Sequence, residues 1–204
     1  MLHLEAVYPG TLDLLRALMA REELNPFALA GGTALALQIG HRISVDLDLF
    51  GRHPFDPEEL LSTYAEIGDY QLLSQSKSVL VVSLRGIKVD VVNYRYGLLE
   101  PVRQIDNLRL LSLPDITAMK LAAITGRGRK RDFIDLFFLL KTYSLTEMME
   151  FYRRKFPDGS EFLVVKSLAY FEDAEEDGDS VLLKEADWQL VKSTIRKEIN
   201  KLSQ

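Results

Sequence analysis

The 204-residue sequence predicts a mixed α/β fold whose first half mixes strands and helices and whose second half is helical. Three observations carry this. Period-two apolar alternation appears in "ISVDLDLF" and "IKVDVV", helical spacing with good capping residues recurs along the chain, and strand signals fade after Ser112. The expected organisation is an α/β core over residues 1–110 and a helical C-terminal region over 111–204, with no internal repeat and no linker.

The elements follow in order. A first helix is expected from Thr11 to Glu23, with Thr11 as its cap and Leu12, Leu15, Leu18 and Met19 at helical spacing. "PFALAGG" reads as a short strand entering a glycine turn, and "TALALQI" as a buried helix with Gly40 near its C-cap. "ISVDLDLF", residues 43–50, is the next strand. In "DPEELLSTYAEIG", Asp56 caps a helix, Pro57 takes its first position and Gly68 stops it. "VLVVSL" and "IKVDVVNY" flank Arg85-Gly86, the two-residue spacing of a β-hairpin. Ser112 and Asp115 form a capping pair for a helix reaching Ile124, "TGRGRK" is a loop, and "RDFIDLFFLLKTY" is a strongly apolar helix. Three further helices are expected near 145–156, 161–172 and 187–201, with the acidic stretch "EDAEEDGD" as a solvated turn between the last two.

Composition narrows the function classes. A hydrophobic fraction of 47% with 27% charge is that of a folded domain and not of a disordered chain. No apolar run approaches the ~20 residues of a membrane span. The N-terminal stretch lacks the pattern of a secretory signal, so the mature protein is expected to begin at Met1. With no cysteine there can be no disulfide, thiol nucleophile or thiolate metal site, which suits a cytoplasmic location. His3, His41 and His53 lack metal-ligand spacing, so no zinc site is expected. A net charge of -5 argues against broad wrapping of nucleic acid, leaving "RGRKR", residues 127–131, as the one dense basic cluster.

The chemistry concentrates in the carboxylates. Strand alternation puts Asp46 and Asp48 on one face, roughly 6–7 Å apart. Such hard oxygen ligands suit magnesium, which binds one or two carboxylates plus substrate phosphates. The competing reading is a strand with a wet acidic face, but aspartate is depleted in strands and two in one strand need a reason. Asp90 lies on the polar face of "IKVDVV". If that strand neighbours residues 43–50, three carboxylates can converge, and a bound metal ion would relieve the repulsion that a purely structural account must tolerate. Gly31, Gly32 and Thr33 add backbone N–H groups at a helix start, where a phosphate can approach without side-chain obstruction.

Together, "GGTALALQIGHRISVDLDLF" and "MKLAAITGRGRKRDFIDL" resemble the nucleotidyltransferase superfamily and, within it, the AbiEii/AbiGii toxin family of abortive-infection and toxin–antitoxin systems. The resemblance implies a nucleotidyltransferase-like mixed β-sheet core with flanking helices. It puts the family's first motif on Gly31, Gly32 and Thr33, its metal pair on Asp46 and Asp48, and its third acidic position on Asp90, as ligand or as base. Lys120 would contact a phosphate, and Asp132 and Asp135 would form the last acidic motif; from the residues alone these are a surface lysine and two arginine partners near a helix start. Arg42 is either a phosphate contact or a salt-bridge partner of the acidic cluster. The implied reaction is magnesium-dependent transfer of a nucleoside monophosphate from an NTP, first to a tRNA 3′ end and secondly to a protein hydroxyl. The class kept open beside it is a silent module that binds a nucleotide or a partner. A cognate antitoxin is the implied partner protein, and no membrane is involved.

Overall fold

The computed structural model describes residues 1–202. It comprises two compact units, one formed by Met1–Gly97 with Pro101–Leu111, the other by Leu98–Glu100 with the chain from Ser112 onward.

In the first unit the elements are α1 (Pro9–Met19), β1 (Ala28–Leu29), α2 (Gly31–Ile39), β2 (Leu47–Gly51), α3 (Pro57–Ile67), β3 (Tyr70–Gln75), β4 (Val79–Leu84), β5 (Ile87–Asn93), β6 (Arg103–Ile105) and β7 (Leu108–Leu110). The strands form one mixed sheet in the order β3-β4-β5-β2-β1-β7-β6. β2 runs parallel to β5 and antiparallel to β1, and β1 runs parallel to β7. On the sheet Leu47, Leu49, Leu80, Val82, Val89 and Val91 are all buried, and α1, whose stripe of Leu14, Leu15 and Leu18 is buried too, packs against β7.

Several boundaries differ from expectation, each for a local reason. The first helix starts at Pro9, not Thr11, because proline's fixed φ suits the first helical position; Thr11 is buried one turn in. It stops at Met19, and Glu22–Leu24 is a separate 3-10 turn. Gly31 and Gly32 are the first residues of α2 itself rather than a turn before it, and Gly40 closes the helix in the left-handed region at φ 59°. Asp56 caps α3 by accepting the Glu58 N–H at 3.0 Å, as expected. The β4–β5 hairpin forms with φ of 51° at Arg85 and 76° at Gly86, both positive as a type I′ turn demands.

Three strands had no expectation attached. β3 is exposed along its length, so burial leaves no alternation to read, and a bulge between Leu72 and Ser74 breaks its period. β6 and β7 are three residues each, joined through Asp106 and Asn107, both at positive φ. From β7, the Arg109 guanidinium donates to the carbonyls of Phe27 (2.9 Å), Met19 (2.9 Å) and Leu24 (3.0 Å), fastening the loop that leads into β1.

The second unit holds α4 (Leu113–Gly126), α5 (Lys130–Leu139), α6 (Leu145–Lys155), α7 (Glu161–Leu168), α8 (Glu172–Glu175) and α9 (Trp188–Leu202). α4 is its axis, packing against α5, α6 and α7. Its start is capped by Ser112, which accepts the Asp115 N–H at 3.2 Å. α6 opens with a full capping box between Ser144 and Glu147. The acidic stretch is not a solvated turn: it contains α8 and is held by specific partners described below. No helix among the described residues is long and apolar enough to cross a membrane.

Candidate active site

In the first unit the chain brings the glycine pair against the aspartates through backbone pairing. The Ala30 N–H donates to the Asp48 carbonyl at 2.8 Å, so the start of α2 lies beside β2. Gly31 sits at φ 64°, and a methyl group there would overlap Asp48 Oδ2. The Asp48 carboxylate therefore presses against the first backbone turn of α2, a place only glycine permits. A side chain at Gly32 would overlap the Arg42 guanidinium in the same way. The second glycine accommodates a buried cation instead.

Arg42 is buried and donates to the Ile43 carbonyl at 3.0 Å, so it underlies the helix start instead of extending into solvent. Thr33 is also buried. Its hydroxyl contacts the Ser44 hydroxyl at 2.9 Å and the Asp46 carbonyl oxygen, which commits it to holding the segment before β2. Ser44, not singled out in the sequence, supplies that contact, and its N–H donates to the Ala6 carbonyl at 2.9 Å. These bonds explain why the strand begins at Leu47 and not at Ile43: Ser44 is buried and Val45 exposed, the reverse of the expected alternation. From Asp46 to Phe50 the alternation holds, with Leu47 and Leu49 buried and Asp46, Asp48 and Phe50 half-buried.

β5 is the parallel neighbour of β2, and Asp90 is the register partner of Asp48. The expected convergence of three carboxylates on one point does not form, however. Asp90 is gripped by the Lys88 ammonium at 2.5 Å to each of its oxygens, a neighbour on the same strand face. Among the described residues no group of three or more His, Cys, Asp or Glu side chains is gathered to hold a metal ion. The donor set that does fit one is Asp46 with Asp48. It offers two hard carboxylates, half-buried at a glycine-lined helix start, matching magnesium's habit of taking one or two carboxylates and keeping waters.

In the second unit Lys120, Asp132 and Asp135 form a compact buried cluster. The Lys120 ammonium lies 2.8 Å from Asp132 Oδ1 and 2.6 Å from Asp135 Oδ2, and both carboxylates are fully buried. Lys120 is thus no surface lysine; nor are the aspartates solvated arginine partners, although Arg127 adds a longer contact to Asp132 at 3.4 Å. A second buried pair was not anticipated. Asp115 receives Lys155 (2.6 Å), the Ser112 hydroxyl (2.7 Å) and the N–H groups of Leu99 and Glu100 (2.9 and 3.2 Å). Forty residues separate this lysine from its aspartate, and no local pattern announces the pair.

The basic run is partly neutralised. Lys130 pairs with Asp179 at 2.6 Å, and its N–H donates to Asp177 at 2.8 Å, so the acidic stretch caps α5. Glu175 completes the arrangement. It accepts from Lys192 and from the Trp188 indole, and these two bonds hold its carboxyl below the usual range.

Comparison with known proteins fits this geometry. The family model described as "Nucleotidyl transferase AbiEii toxin, Type IV TA system" matches residues 13–201. An uncharacterized protein of Aquifex aeolicus (strain VF5) is 40% identical over 159 residues, covering 75% of this chain and 77% of its own. Among solved structures, MenT4, a nucleotidyltransferase toxin of Mycobacterium tuberculosis H37Rv, is similar with a TM-score of 0.61 at 18% identity, over 95% of this chain and 82% of that one. The crystal structure of JHP933 from Helicobacter pylori gives a TM-score of 0.55 at 20% identity, over 97% and 98%. At such identities the structures speak to the fold.

Proposed function

The chain belongs to the AbiEii nucleotidyl transferase toxin family, and from that premise we propose that it transfers a nucleoside monophosphate from an NTP to an acceptor hydroxyl, with release of pyrophosphate. The observation that carries this reading is the Asp48 carboxylate lodged against Gly31 at the start of α2, with Asp46 two residues before it on the same side of the chain. Asp46 and Asp48 would hold a magnesium ion, which when bound supplies Lewis-acid stabilisation of the charge that builds on the transferred phosphate. The positive N-terminal end of α2 attracts the phosphate, although the open side of Gly31 is taken by Asp48 and that of Gly32 by Arg42. Arg42 and Thr33 act as positioning residues, since both are buried under that turn. Asp90 accepts the proton of the incoming hydroxyl, or would serve as a further carboxylate ligand for the ion. Lys120, the lysine of the family resemblance, is held inside the helical unit by Asp132 and Asp135.

The first acceptor is the 3′ end of tRNA, and the family's setting implies a cognate antitoxin in the cytoplasm. A protein hydroxyl is the second acceptor, favoured by one observation: Asp177 and Asp179 occupy Lys130, which lowers the charge with which "RGRKR" grips RNA. The test is incubation with each labelled NTP, total tRNA and total protein, using the wild type, Asp46→Asn and Asp48→Asn. The reading expects one pool to take label and both variants to lose transfer with their melting temperatures intact. Undiminished pyrophosphate release in both variants would remove the metal assignment.

A further inference from the structure

A pocket of about 370 Å³ opens in the helical unit between the C-terminal end of α4 and the last turn of α7, and all its lining residues belong to that unit. Its size is within the ~300–1,000 Å³ range of small-ligand sites. What distinguishes it is the chemistry of its walls. Arg127, just past α4, and Lys166, on α7, both line it, together with Tyr170, Asp173, Ser167 and Leu163. Two cations thus face one lining carboxylate, beside two helix ends whose carbonyls carry partial negative charge. Arg127 spends only its Nε on Asp132, at 3.4 Å, and Lys166 has no ion-pair partner among the described residues. Tyr170 is 48% exposed, and its orientation is set by the hydroxyl, which donates to Asp173 Oδ1 at 3.2 Å.

We propose that this pocket binds one nucleotide unit, with the phosphate between Arg127 and Lys166, the base stacked on Tyr170, and an amino group of the base donating to Asp173. Each part has its reason. Two cations lining one pocket repel each other unless an anion lies with them, and arginine is suited to phosphate. An exposed, oriented aromatic ring beside a phosphate clamp is the usual platform for an unpaired base. The carboxylate accepts and does not donate, so it favours bases that present an amino group, such as cytosine, over uracil, which presents a carbonyl there. The unit comes either from the unpaired end of an RNA acceptor or from a free nucleotide. The RNA source rests on the transfer reading given above; binding itself does not.

The experiment is equilibrium dialysis of the full chain in EDTA, so that magnesium-dependent binding makes no contribution. The probes are CMP, UMP, orthophosphate and a five-nucleotide single strand ending in cytidine. Saturable CMP binding is expected, with UMP weaker and orthophosphate weaker still. Lys166→Ala and Tyr170→Ala should each weaken CMP binding by about fivefold or more, in keeping with the loss of one phosphate contact or one stacked base. Asp173→Asn should erase the difference between CMP and UMP. Both exposed positions tolerate truncation, and circular dichroism with thermal melting verifies the fold. A strand that binds more tightly than CMP identifies RNA as the source, and equal binding identifies the free nucleotide. Absence of saturable CMP binding, or affinity unchanged in both alanine variants, overturns the site. Equal CMP and UMP affinity in the wild type overturns the role of Asp173. Loss of transfer in Asp46→Asn is measured separately, so the two readings fail independently.

Discussion

The two aspartate pairs in the sequence, Asp46 with Asp48 and Asp132 with Asp135, occupy opposite physical situations. Asp46 and Asp48 are half-buried at the start of a helix, and Asp48 touches backbone through the gap left by Gly31. Asp132 and Asp135 have no exposed surface and share one ammonium, Lys120. A half-buried carboxylate keeps part of its hydration and can exchange it for a metal ion. A sealed one has already exchanged its water for a lysine and releases it only at high cost. The proposed chemistry therefore rests on the first pair, while the second ties α4 to α5.

The comparison breaks most readily at Lys120. Lys120→Ala removes the ammonium that both buried carboxylates share, so unfolding free energy should fall by about 3–5 kcal/mol. Urea titration measures it. Adding Asp135→Asn to that variant should recover part of the loss, because one of the stranded charges is removed. A fall of less than ~1 kcal/mol would show that the cluster is hydrated and that the contrast between the pairs is false.

Gly31→Ala comes next. The left-handed φ costs roughly 1–2 kcal/mol for an alanine, and the methyl overlap with Asp48 adds to it. A total of about 1–3 kcal/mol is expected. Asp48→Ala in the same background should return the overlap part and leave the backbone part, a coupling that a double-mutant cycle isolates. Additive effects would mean that Asp48 does not press on the turn.

Lys88→Ala sharpens the boundary of the first cluster. Lys88 is a half-exposed partner of Asp90, so its loss should cost no more than ~1 kcal/mol. Freed of its lysine, Asp90 stands beside Asp48 as a third carboxylate. The rise in melting temperature on adding magnesium should then exceed that of the wild type. An equal or smaller rise would remove Asp90 from the metal's surroundings.

The smallest effect concerns Glu175, a surface counterpart to the sealed pair. Its folded carboxyl is held below the usual range, so its contribution to docking Trp188 is fully present above the ordinary glutamate range and lost as pH falls through the lowered folded value. Trp188 is the only tryptophan, so its fluorescence reports the step. Glu175→Gln should abolish the acid transition in that signal.

Much of this was legible wherever a residue's role is local. The Asp56 and Ser112 caps, the Arg85-Gly86 turn and Gly40 all formed where their backbone preferences indicate. Alternation marked both β2 and β5 as strands, but their pairing stood only as a condition, which the register of Asp48 with Asp90 meets. Non-local bonds were not legible. Ser44 inverted the alternation at the head of β2 by joining Thr33, and Lys155 found Asp115 across forty residues. For Lys120 a signal did exist: "LPDITAMKLAAITG" is apolar on nearly every side, and a helix of that kind is buried with any lysine it carries. The partners of Lys130 were not legible because they lie in the acidic stretch some fifty residues later.

The position of β1 has a consequence in time. Its two partners are β2, close in sequence, and β7, which pairs through Leu29 and Leu110 and again through the Leu111 N–H to the Leu29 carbonyl at 2.9 Å. As the chain leaves a ribosome at roughly 5–20 residues per second, about 4–16 s pass between the emergence of Leu29 and that of Leu110. Throughout that interval the strand leading into the glycine turn has one open side. An unpaired edge is a template for foreign strands. The nascent protein is therefore most vulnerable to aggregation, and most dependent on chaperones, before residue 111 has been made, and slowing translation within residues 52–107 should lower its soluble yield more than slowing it beyond residue 112.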